Sequence, residues 1–242
     1  MMGRMSNRTT KGMRQYWDER AIENAAWYVD TTLSFDEPDM EQFLADGARI
    51  VRDALDGAPA EPRRHELAVE IGSGLGRVVK SLADRFDHVV GIDISPEMVE
   101  RAGQLVADPR VELRLGDGRS LAGIADASVD LVLSFTVLQH IPDPKIIEGY
   151  LREAGRVLRP GGLLVFQWNN EPGHRRWVIR RWWLTALQRT GLRPEHRGRH
   201  ATAFLGSRVP MRRIEKALAD GQLTLAGVRD PNTLLAWAWA TR

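Results

Sequence analysis

The stretch VEIGSGLGR, Val69–Arg77, sets three glycines at alternate positions between a short apolar run and an amphipathic one. Glu66–Ile71 reads as a buried strand and Leu75–Phe86 as a helix, so the glycines lie in a strand-to-helix turn. Gly72, Gly74 and Gly76 allow the backbone to turn tightly and a ligand to approach it closely. A nucleotide is the natural ligand at such a turn. The dinucleotide fingerprint G-x-G-x-x-G does not fit, because its sixth position is Arg77. That fingerprint also places a pyrophosphate on the helix N-terminus, whereas here an acid, Glu70, stands immediately before the loop. An acid suits a cationic ligand group better than a diphosphate.

Outward from this loop, strands and helices alternate. His88–Asp93 reads as a strand, and Ser95–Val106 as a helix with Ser95 at its N-cap and Pro96 in its first turn. Arg110–Leu115 is a strand of period two, Val129–Phe135 a buried strand, Asp143–Leu158 a helix stopped by RPGG, and Gly162–Trp168 a fifth strand. Leu223–Asp230 and Thr233–Arg242 form two strands joined by a very short turn, an antiparallel hairpin. The pattern predicts a doubly wound α/β fold: a mostly parallel seven-stranded sheet ending in a hairpin, helices on both faces. Upstream, helical spacing is expected over residues 12–24 and over Asp39–Leu55, followed by a turn-rich linker, Asp56–His65. Residues 1–60 are therefore read as an N-terminal helical segment, and 61–242 as the main domain with an insert at about 171–208.

Composition narrows the class. The chain has 242 residues, 43% hydrophobic and 27% charged, and no cysteine. Disulfides, cysteine–zinc sites and thiolate catalysis are excluded, and a cytoplasmic setting is expected. No apolar run approaches a membrane span, and no signal peptide is read at the N-terminus. Net charge is +2. Residues 1–170 carry 20 basic and 27 acidic side chains, whereas residues 171–242 carry 14 and 5. A nucleic-acid partner is therefore disfavoured by the whole-chain charge and open only for the basic last third.

Two further acids define the ligand. Asp93 ends the second strand, 23 residues after Glu70, where an acid receives a ribose diol. Asp117, in the GDG of 116–118, can accept from an adenine amino group. A cationic amino acid, a ribose and an adenine together describe S-adenosylmethionine. Residues 66–170 resemble class I S-adenosylmethionine-dependent methyltransferases, and bacterial small-molecule and sugar O-methyltransferases among them. The matching segments are VEIGSGLGR, VVGIDISPEMVERA, LRLGDG, VDLVLSFTVLQHIPDP and EAGRVLRPGGLLVF. The resemblance implies a Rossmann-like sheet. It implies that Glu70, Gly72, Gly74 and Gly76 surround the methionine part, Asp93 the ribose, Ile94, Asp117 and Gly118 the adenine, with Ser134 near the sulfonium.

Methyl transfer needs positioning and, for a hydroxyl, removal of a proton. His140, after the fourth strand, is the candidate general base, with Glu171 as runner-up. Tyr16, Trp168, Asn169, His174 and Trp177 are candidates to read the acceptor. The eight tryptophans, six of them in segments that could roof a cleft, point towards a hydroxylated or saccharide acceptor. RRWVIRRWW, Arg175–Trp183, is expected to form a helix whose Trp177 and arginines act as an acceptor-side lid or a homodimer contact. A metal site could be assembled from Glu171, Asp143 and a histidine, with Mg²⁺ as the ion, but the spacings match no ligand pattern, and no metal is assigned. The alternatives are N-methylation of a small amine or peptide, and an RNA-directed methyltransferase or nucleic-acid-binding module.

Overall fold

The computed structural model of the chain describes residues 2–173 and 201–242. His174, Trp177 and the helix expected over Arg175–Trp183 lie outside the described residues. The elements are α1 (Met2–Val29), α2 (Met40–Leu55), β1 (Leu67–Ile71), α3 (Arg77–Leu82), β2 (His88–Asp93), α4 (Pro96–Val106), β3 (Val111–Leu115), β4 (Val129–Ser134), α5 (Pro144–Val157), β5 (Leu158–Trp168), α6 (Thr202–Leu205), α7 (Met211–Asp220), β6 (Thr224–Arg229) and β7 (Ala236–Thr241). A single 3₁₀ turn, Leu138–His140, stands between β4 and α5.

The seven strands form one sheet in the order β3-β2-β1-β4-β5-β7-β6. The first five pair in parallel, and β7 runs antiparallel between β5 and β6. The order reverses at β1 and β4, so a crevice opens above their carboxyl ends, where α/β sheets bind ligands.

Residue parity sorts the two cores. Val69, Ile71, Val132, Leu164, Phe166 and Trp168 face one layer, with α5 and α7 packed over them. Ala68, Leu131, Leu133, Leu163 and Val165 face the other, under α2 and α3. In β7 the run AWAWAT gives its alanines to the first face and Trp237 and Trp239 to the second. These are the two faces of a pleated strand, and every residue of β4 is buried on one or the other. A third cluster joins α1, α2 and α4 through Ala21, Ala25, Phe43, Leu75 and Met98.

Local chemistry explains where the elements start. Ser95 caps α4, its Oγ accepting from the Met98 amide at 3.1 Å, with Pro96 next in line. Asp143 caps α5 by accepting from Lys145 N at 2.9 Å. Four boundaries differ from the sequence reading. α1 runs over 28 residues, broken by non-helical backbone at Asn24. α3 covers only Arg77–Leu82, because Gly76 takes a left-handed conformation at its N-cap (φ 85°) and a turn follows Leu82. β5 begins at Leu158, drawn in by its pairing with Val129, with a register shift before Leu163 meets Leu131. The last hairpin is closed not by two residues but by the longer stretch Asp230–Leu235. No helix among the described residues is long and apolar enough to cross a membrane.

Candidate active site

A cleft of about 440 Å³ lies over the carboxyl ends of β1, β2, β3 and β4. That is the size of a small-ligand site. Glu70, Gly72, Ser73 and Gly74 from the glycine loop line it, with Asp93 and Ile94 from the end of β2, Gly118 after β3, and Val137, Gln139 and His140 after β4.

The glycine loop is shaped by contacts that a side chain would destroy. Gly72 has φ 76°, and a Cβ there would run into Val137. Its amide donates to Ile92 O at 2.7 Å, tying β1's exit to β2. Gly74 donates its amide to Asp93 Oδ2 at 2.8 Å, while Asp93 Oδ1 accepts from Ser95 N at 2.9 Å. Asp93 is thereby pinned between two loops at the cleft floor. Burial raises its pKa, and the backbone donors of Ser95, Gly74 and Ile94 act against that rise.

Glu70 is 2% exposed, and its Oε2 has no hydrogen-bond partner among the described residues. Burial raises its pKa well above the usual carboxylate range; the Arg77 guanidinium opposes this and Asp93 adds to it. An unpartnered buried carboxylate is costly unless a ligand supplies the missing donor or charge. Ser73 Oγ and Gln139 Oε1 are also buried without partners and also line the cleft. An ammonium group near Glu70 would fit these vacant acceptors.

His140 sits in the 3₁₀ turn with its ring between Trp17 (centroids 5.4 Å) and Phe204 (4.9 Å). Its Nδ1 lies 2.5 Å from Phe204 O. A carbonyl only accepts, so Nδ1 carries the proton and Nε2 is left as the basic nitrogen. Burial lowers the pKa, against the raising effect of the Phe204 carbonyl, which keeps the ring neutral at pH 7.

Of the residues picked from sequence, Glu70, Gly72, Gly74, Asp93, Ile94, Gly118 and His140 line the cleft; the other seven that are described do not. Gly76 and Ser134 are structural: Gly76 caps α3, and Ser134 Oγ donates to Ile71 O at 3.3 Å, wholly buried. Asp117 does not line the cleft; its carboxylate accepts from Arg119 N, Ser120 N and Ser120 Oγ, closing the turn after β3. Among the described residues of that turn, Gly116 and Gly118 line the cleft in its place. Trp168, expected to read the acceptor, is 0% exposed in the core and donates Nε1–H to Val209 O at 3.1 Å. Asn169 is buried and accepts from Glu171 N at 3.0 Å, so Asn169 and Glu171 organise the exit from β5 and neither lines the cleft. Tyr16 packs edge-on against Trp17 and under Arg20 rather than into the cleft. Among the described tryptophans, only Trp17 lines it. Asp143 is engaged as a cap, and no group of three metal-ligating side chains occurs among the described residues.

Two further lining residues are not among the site residues read from the sequence. Arg77 and Asp30 form a buried ion pair, and Arg77 also donates to Val29 O at 3.2 Å. The arginine that spoils the dinucleotide fingerprint thus holds the end of α1 against the glycine loop. The departure itself was the available signal.

Residues 69–166 match a family model described as a methyltransferase domain. A trans-aconitate 2-methyltransferase of Azoarcus is 34% identical over 147 residues, 59% of this chain and 54% of that protein. A ubiquinone biosynthesis O-methyltransferase of Xanthomonas oryzae is 34% identical over 98 residues, 40% of each. The chain spans about half the length, or less, of these curated relatives. The fold is that of the N-methyltransferase NodS of Bradyrhizobium japonicum, solved with S-adenosyl-L-homocysteine (TM-score 0.61, 17% identity, 95% of this chain and 98% of that one). Strand order, the glycine loop with its buried acid, and the matched segment agree: residues 69–166 form a methyltransferase domain, and the fold is the one seen in S-adenosylmethionine-dependent methyltransferases of known structure.

Proposed function

We propose that the chain transfers a methyl group from S-adenosylmethionine to a hydroxyl of a small molecule, with His140 as the general base. The observation that carries this is the presence in one cleft of Glu70, with its vacant carboxylate oxygen, and His140, with Nδ1 engaged by a carbonyl. Glu70 and the Gly72–Gly74 backbone would hold the amino-acid part, Asp93 the ribose, and Ile94 and Gly118 the adenine. When bound, S-adenosylmethionine supplies a methyl carbon already activated by its sulfonium. The chain itself has to exclude water, orient the acceptor and take its proton. Neutral His140 is in the right protonation state to do so. The relative that methylates oxygen supports a hydroxyl acceptor. The saccharide expectation rested on six tryptophans, of which Trp168 is core and, among the described ones, Trp17 alone lines the cleft.

The test is His140→Asn in a labelled methyl-transfer assay. General-base catalysis contributes ~10²–10⁴-fold, so kcat/KM should fall by that order while binding of S-adenosylhomocysteine is retained. The wild-type pH profile should show an acidic limb below the ordinary imidazole range, and the variant should lack it. Unchanged activity would transfer the reading to an amine acceptor, which needs little help from a base.

A further inference from the structure

Around His140 the cleft carries aromatic side chains and leucines. Trp17, Phe204, Leu205, Leu234 and Leu235 all line it. Four large hydrophobic side chains among the described residues are exposed, and two of them are Leu234 and Leu235, at 38% and 41%. Both belong to the connection between β6 and β7 and reach the cleft, so an apolar pair is held open to solvent at its rim. Singly exposed leucines are unremarkable, but an adjacent pair on the edge of a concave site marks a surface that a ligand covers. Within the wall, Trp17 and Phe204 lie with ring centroids 6.5 Å apart, and both pack on His140. Among the described residues, the charged groups at the cleft are Glu70 and Asp93 on the cofactor side, Arg77 paired with Asp30, and Arg49 paired with Asp46 at 2.7 Å.

Resting on the methyl-transfer reading above, we propose that the acceptor is a neutral aromatic alcohol, a phenol or hydroquinone, whose ring is received by the Trp17–Phe204 wall and whose apolar body is covered by Leu234 and Leu235. Flat apolar walls accept a ring face or edge, and they offer no partners for the several hydroxyls of a sugar. The proton chemistry agrees. A phenol ionises at about 10, like tyrosine, whereas water and simple alcohols lie near ~15.7. A weakly basic, buried imidazole is matched to the more acidic hydroxyl. In the transfer the phenolic oxygen forms the new bond to the methyl carbon, and its proton passes to His140 Nε2. The methyl–sulfur bonding pair stays on sulfur, leaving a neutral thioether.

The experiment uses the full chain, methyl-labelled S-adenosylmethionine and three acceptors: catechol, methyl glucoside and benzylamine. Label should enter catechol and not the other two. The double variant Leu234→Asp/Leu235→Asp should raise the KM for catechol at least tenfold and leave the Kd for S-adenosylhomocysteine within twofold. Since both leucines are exposed, Tm should hold; if it drops, Leu234→Asn/Leu235→Asn takes its place. Label in methyl glucoside at comparable kcat/KM, or an unchanged catechol KM in a folded variant, overturns the proposal. So does a chain that binds S-adenosylhomocysteine but leaves catechol unlabelled. Failure to bind S-adenosylhomocysteine at all sinks the methyl-transfer reading instead, and the two failures are read from different measurements.

Discussion

Glu70 shows what one residue can be made to do by its surroundings. A carboxylate in β1, flanked by buried neighbours, would be a liability in an ordinary sheet. Here burial raises its pKa, so the free protein retains a proton there that the unfolded chain gives up in the acid range. The unliganded fold therefore loses stability as pH rises through the window between the ordinary glutamate value and the raised one. Binding a cation reverses the preference, since the positive charge favours the carboxylate. Binding of S-adenosylmethionine should then release a proton within that window, and affinity should weaken as pH falls. Calorimetry in buffers of different ionisation heat measures the proton directly. Glu70→Gln should abolish the release and weaken binding about 10- to 100-fold, the range for a charged hydrogen bond of ~1.5–3 kcal/mol. An unchanged proton count in the variant would assign the linkage to another group.

At the scale of the element, the short helix α6 and the residues from Gly206 to Val209 act as a strap across the catalytic turn. Phe204 O receives His140 Nδ1–H, Ser207 Oγ donates to Ile141 O at 2.7 Å, and Val209 N donates to Asn169 O at 2.9 Å. Gly206 makes the close approach possible. Its φ is 57°, and a Cβ there would stand 2.6 Å from the Gln139 carbonyl carbon and 2.8 Å from His140 Cα. Gly206→Ala should cost ~1–3 kcal/mol, the range for overpacking, and should lower kcat at least tenfold with the Kd for S-adenosylhomocysteine unchanged. Thermal denaturation and steady-state kinetics test the two halves. Equal loss of turnover and cofactor affinity would mean that the disturbance spreads past the turn.

Across the whole molecule, Arg77 is the fastener between the N-terminal helices and the sheet. It pairs with Asp30 after α1, lies over Phe43 of α2 at 5.1 Å and over Phe135 at the end of β4 at 5.9 Å, and is itself 5% exposed. Gly47 of α2 packs so closely that a Cβ would strike the Arg77 backbone. Breaking one partner of a buried pair costs ~3–5 kcal/mol, because the other charge is stranded. Arg77→Met and Asp30→Asn should each lose stability of that order in urea denaturation, and the double variant should lose less than their sum. Strict additivity would show that the two side chains act independently.

Read alone, the sequence settles whatever depends on neighbours along the chain. The alternation of apolar runs with capped helical spacing specifies a doubly wound sheet with a terminal hairpin, since period two and period 3.6 are written residue by residue. The glycine loop, its preceding acid and Asp93 are legible from the strand ends, and the structure places Glu70, Asp93 and His140 in one cleft as that order implies. Packing decides what periodicity cannot. Trp168 and Asp117 had suitable chemistry at suitable places, yet an indole N–H needs only one carbonyl and an aspartate only a tight turn to be engaged elsewhere. Asp30 lies 47 residues from Arg77, and Leu234 and Leu235 stand beyond the last crossover. Their meeting at the cleft is a product of long-range closure, which leaves no local pattern in the chain.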